Sequence, residues 1–163
     1  MEVIFTSKEY IIIAIAWIIT IILLVIFIPK DKYREAQVAF GIKQVLTWVT
    51  GLTVVELGLL EYPVRLFPYA NKTSFTFEYF IYPSICAIFN VHYPEDKKTF
   101  GQFLYYVYYC TTMTLIEVIV ERSTNIIKYI HWTWYITWIT LFFTFTISRK
   151  YYTWFFKLKG TIK

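Results

Sequence analysis

Charge is scarce in this chain, and so are the residues on which crosslinking and catalysis depend: 17% of its 163 residues are charged, with two cysteines, two histidines and five glycines. Each shortage excludes something. Cys86 and Cys110 both fall in apolar runs, so a disulfide framework is not expected and free, buried thiols are. No Gly-rich phosphate loop, Gly-x-Ser-x-Gly elbow, His-Glu-x-x-His or Cys-x-x-Cys is present. With one of the two histidines in a loop, catalysis would rest on glutamates, with a metal ion as the one cofactor they would admit. The expectation is therefore that the protein is not an enzyme and carries no cofactor.

Apolar surface is what the chain has in excess. At 58% hydrophobic and 22% aromatic residues, with a mean hydropathy of +0.51, it could not cover a soluble domain of this size with polar groups. It belongs in a bilayer. The formal charge of +5 does not point to nucleic acid, because the basic residues sit in short loops and a tail between apolar runs.

Five stretches are expected to cross the membrane as helices: about 10–28, 40–60, 74–91, 99–120 and 127–147. The first, Tyr10 to Ile28, is uncharged and at 1.5 Å per residue covers roughly 28 Å, a bilayer core. It is too long for a signal-peptide core and lacks a small-residue cleavage site, so it reads as a retained span. Lys43, near the start of the second, is expected to snorkel to the interface. Pro83, in the third, predicts a kink near Tyr79 to Pro83. Thr133, Thr137, Thr140 and Thr144 form a hydroxyl stripe that reads as a packing seam. The segment from Ser148 to Lys163 is basic and aromatic and is expected to lie at the interface of an anionic leaflet.

The loops on the amino-terminal side hold five basic residues (Lys8, Arg65, Lys72, Arg122, Lys128) and those on the other side ten, from Lys30 to Lys163. The positive-inside rule then places the amino terminus outside and the carboxyl terminus in the cytoplasm. The fold class is an all-α polytopic membrane protein in a single domain, 1–163. A faint internal repeat relates spans two and three to spans four and five through Phe40-Gly41 before Glu56 and Phe100-Gly101 before Glu117.

Threaded this way, Glu56, Glu78, Glu117 and His131 fall at nearly one depth, roughly 5–8 Å inside the outer interface, with Glu61, Glu121, Arg65 and Arg122 just above. Cys110, Thr114, Glu117 and Glu121 recur on one face of the fourth span. Carboxylates facing lipid are costly, so these groups are expected to point into the bundle. Glu56, Glu78, Glu117, Glu121 and His131 form the candidate ligand or ion cluster; Glu61, Arg65 and Arg122 are candidate ion-pair partners that could clasp helix ends.

The segments KDKYREAQVAF (30–40), VVELGLLEYPVRLFPYANKTSFTFEYF (54–80) and YPSICAIFNVHYP (82–94) resemble those of small multi-pass membrane proteins of Gram-positive spore formers, a family without an assigned activity. The resemblance is most distinctive from Glu61 to Phe67 and implies a bacterial cytoplasmic membrane or spore inner membrane. It carries no catalytic residues to transfer.

Three functions are open. The cluster could bind a proton, a cation or a small solute in permeation or sensing; it could be a structural clasp in an accessory membrane protein; or it could serve a metal-dependent intramembrane enzyme. The bilayer is the first partner. A pathway in so small a protein would need a homo-oligomer or a partner membrane protein to surround it.

Overall fold

In a computed structural model, which describes residues 7–157, five α-helices account for most of the chain: α1 (Ser7–Phe27), α2 (Tyr33–Glu56), α3 (Tyr82–Val91), α4 (Thr99–Ser123) and α5 (Trp134–Phe155). Three helical segments, Lys8–Phe27, Lys30–Glu56 and Thr99–Ser123, are long and apolar enough to cross a bilayer, and Phe75–Val91 is a shorter apolar helix. α1 is apolar all round, and Ile11, Ile15, Ile18, Ile19, Ile22 and Val25 are left exposed on it, as suits a helix whose surroundings are hydrocarbon. The chain is thus mainly helical with membrane-compatible helices, as its composition requires.

Helix bounds differ from the apolar stretches in informative ways. α2 begins at Tyr33, so its first turns carry Arg34 and Glu35. It stops at Gly58, whose φ of 65° is the left-handed conformation that glycine adopts without strain. There the Leu59 amide donates to the Val54 carbonyl at 3.1 Å and the Gly58 amide to Val55 at 3.0 Å, the paired bonds of a Schellman stop. α5 starts seven residues later than its apolar stretch, because 124–133 is a non-helical segment with two bends and a short extended piece. That extended piece supplies an element the all-helical expectation lacked: β1 (Leu60–Glu61) pairs antiparallel with β2 (Lys128–Tyr129), with Leu60 opposite Tyr129.

The bend expected at Pro83 takes the form of a π-helical turn, Phe75–Ile81, capped by Ser74 and running into α3. Pro83 has no N–H to give the Glu78 carbonyl five residues back. The Thr47 hydroxyl on α2 donates to that carbonyl instead, at 2.5 Å, and the Gln44 amide donates to the Tyr79 carbonyl at 2.9 Å. α2 can approach this closely because its inward face carries Ala36, Ala39 and Gly51. A Cβ on Gly51 would lie 2.8 Å from Cδ of Glu78 and 2.9 Å from the Thr73 hydroxyl.

The linkers gather at two ends. At one, 57–74 and 124–133 meet through the β pair, the Val64 amide donates to the Asn125 carbonyl, and the Asn125 side chain donates to Glu9 of α1. At the other, Arg149 of α5 pairs with Glu95, Tyr152 donates to Glu35 at 2.6 Å, and a ring nitrogen of His92 lies 2.6 Å from the Phe27 carbonyl. Between them, Phe89, Cys86, Cys110, Leu141 and Phe145 form the central core.

Candidate functional site

Two of the expected cluster residues are buried side by side. Glu78 sits on the π-helical turn against Gly51 and accepts a hydrogen bond at Oε1 from the Tyr62 hydroxyl at 2.8 Å. Glu117 projects from α4 and accepts from three hydroxyls on three elements: Tyr82 of α3 at Oε2, Tyr129 of β2 at 2.5 Å and Thr137 of α5 at 2.7 Å, both at Oε1. Thr137 itself accepts from the Trp132 indole at 2.7 Å. The hydroxyl donors stand in for the water a carboxylate would otherwise keep. Burial holds the Tyr62 and Tyr129 hydroxyls above the ordinary phenol range, and the neighbouring glutamates push the same way, so both remain donors.

The other expected members lie elsewhere. Glu56, at the end of α2, and His131, after β2, are exposed, and Glu121 is half-buried one turn beyond Glu117. Arg65 does not pair with Glu61: its guanidinium donates to the backbone carbonyls of Tyr62 at 2.7 Å, Asn71 at 2.9 Å and Pro68 at 3.3 Å, pinning the 62–71 loop. Arg122 and Glu61 are exposed. Among the described residues the ion pairs are Lys32 with Glu35, at 2.9 Å, and Arg149 with Glu95, so the expected clasps are absent there. Also among the described residues, no three His, Cys, Asp or Glu side chains are gathered as a metal ligand set.

Lys43 is the residue whose role the sequence concealed. It does not reach the interface; it is fully buried, its Nζ donating to the Thr144 hydroxyl at 2.5 Å and lying 4.2 Å from the centre of the Phe145 ring. Neither buried glutamate is within ion-pair distance of it. Thr47 at i+4 and Gly51 at i+8 continue the buried face of α2, a helical period visible in the sequence.

A cavity of about 60 Å³, room for a few water molecules at roughly 10–15 Å³ each, lies between α2 and α5. Glu78, Glu117, Thr47 and three members of the threonine stripe, Thr137, Thr140 and Thr144, are among its walls, within a lining that is otherwise mainly apolar. Beyond Lys43 the polar path continues. The Cys86 thiol donates to Ser148 at 3.1 Å, the Asn90 amide to the Cys86 carbonyl at 2.9 Å, and Arg149 to the Asn90 carbonyl at 3.4 Å. Polar side chains therefore succeed one another from Tyr129 and Glu117 at one end of the bundle to Arg149 and Glu95 at the other. Ser148, Arg149 and Tyr152 belong to the buried face of α5, a correction to their reading as the start of an interfacial tail; residues 158–163, the end of that tail, lie outside the described residues. Compared with protein-family models, with curated proteins and with solved structures, the chain gave no match.

Proposed function

We propose that this is an integral membrane protein of five spans, with its amino terminus outside, which binds a proton or a small cation between Glu78 and Glu117 in permeation or sensing. One observation carries the reading: two buried carboxyl groups border one small cavity, and among the described residues neither has a cationic side chain within ion-pair distance. Intramembrane carboxyls face the bundle interior because lipid cannot solvate them, and an excess of them over nearby positive charge favours uptake of a cation. The gathering of linkers 57–74 and 124–133 at one end supports the five-span threading, and the excess of lysine and arginine at the other end supports its orientation. The cytoplasmic or spore inner membrane of a Gram-positive spore former is the location that the sequence resemblance favours.

A second reading has its own support: three hydroxyls from three elements converge on Glu117, as a structural clasp would require. Thermal melts of the detergent-purified protein across pH and a panel of sodium, potassium, methylammonium and divalent salts separate the two. On the binding reading, a cation or pH step raises the melting temperature of the wild type and not of Glu78→Gln or Glu117→Gln. If both variants melt lower in every condition and no ion helps any form, the clasp reading replaces it.

A further inference from the structure

Glu117 borders two cavities. Besides the small one, it and Tyr82 form part of the wall of an apolar groove of about 680 Å³ between α1 and α4, floored by the π-helical turn and α3. The groove runs along α1 from Ile12 to Phe27, roughly 22 Å at 1.5 Å per residue. Its volume falls in the range, roughly 300–1,000 Å³, of sites that enclose a small organic molecule.

The chemistry at Glu117 specifies the occupant. Its Oε1 accepts from Tyr129 and Thr137 and its Oε2 from Tyr82, which takes three of the about four acceptor directions of a carboxylate. One direction on Oε2 is left. The rings of Tyr82 and Phe77 also border the groove, and aromatic faces attract cations and not anions. A phospholipid chain alone would leave the carboxylate unanswered, and an anionic head would be repelled by it.

We propose that the groove holds the alkyl chain of a lipophilic ammonium ion, whose N–H donates to Glu117 Oε2. This rests on the cation-binding reading above and names the ligand class: an amphiphilic amine entering from the side of the bundle between α1 and α4.

The test is calorimetric titration of the protein in zwitterionic-lipid nanodiscs, with empty nanodiscs subtracted, using methyl-, butyl- and octylammonium and octanol. Affinity is expected to rise roughly threefold to fourfold per added methylene, to be lost with octanol, and to be lost for all amines in Glu117→Gln. Ala16→Trp, which fills the groove from α1, should bring octylammonium back to the level of methylammonium; Ile19→Trp serves the same purpose if that variant does not fold. If methylammonium binds in a Glu117-dependent way but chain length has no effect, or if the groove-filling variants still bind octylammonium tightly, the groove proposal falls and the cation site stands. If no amine binds the wild type and pH leaves its melting temperature unchanged, both fall.

Discussion

The two ends of the bundle bury charge of opposite sign and solve the problem with different chemistry. Glu117, at the end capped by the β pair, is surrounded by hydroxyl donors that each come from a separate element. Arg149, at the other end, has among the described residues one carboxylate, Glu95, donates to the Asn90 carbonyl, and lies between rings, 4.0 Å from the centre of Tyr93 and 5.1 Å from that of Tyr152. The difference follows from what each group can use. A carboxylate accepts and is satisfied by O–H groups, whereas a guanidinium is flat, weakly hydrated and stacks on aromatic faces. Glu95 remains 49% exposed, so the cationic end stays in touch with water, whereas both Glu78 and Glu117 are buried.

Breaking the acidic end should have the largest effect. Glu117→Leu leaves the buried Tyr82 and Thr137 hydroxyls and the half-buried Tyr129 hydroxyl without their acceptor, at about 1–3 kcal/mol for an unsatisfied group, and is expected to lower unfolding stability by about 3–5 kcal/mol in denaturant titration of the purified protein. Gly51→Ala comes next. Its methyl would displace the Glu78 side chain and the Thr73 hydroxyl, and overpacking of this kind costs about 1–3 kcal/mol; the same variant should show a weakened response to added cation in the melting assay. Arg149→Met removes the ion pair and the ring contacts but leaves Glu95 free to take water, so a smaller loss, about 1–2 kcal/mol, is expected in the same titration. A loss as large as that of Glu117→Leu would mean that the two ends are equally closed. Smallest of all should be Glu61→Gln and Arg122→Gln, both exposed, each within about 0.5 kcal/mol of the wild type. A larger effect from either would restore the helix clasp that this structure lacks.

Much of this was legible in the chain. The apolar composition announced helices fit for a membrane, and the placement of Glu56, Glu78 and Glu117 inside apolar runs picked out three carboxyls, of which Glu78 and Glu117 are buried together. Helix boundaries were where reading failed, and the misplaced basic residues follow from that. A helix can carry polar residues in its first turns, so α2 starts at Tyr33 and puts Lys43 in its third turn, well inside the fold, where a start near Phe40 would have left it at the interface. Non-helical backbone in 124–133 shifts α5 by seven residues and draws Arg149 into the core. Nothing local forecasts that shift, because Ile126, Ile127, Tyr129 and Ile130 suit a short strand as well as a helix. Glu56 and His131 shared the right depth, but depth alone does not fix which way a side chain points.

The convergence on Glu117 also sets an order of events during synthesis. Tyr82 precedes it by 35 residues, but Tyr129 and Thr137 follow it by 12 and 20. At about 5–20 residues per second of elongation, α4 emerges roughly one to four seconds before its last donor exists. Until Tyr129 is made the glutamate has one of its three partners, and until Thr137 is made it has two, so the helix bearing it is a poor passenger for lipid. Arrival of α5 would complete the hydroxyl shell, so the final helix acts as the latch of assembly.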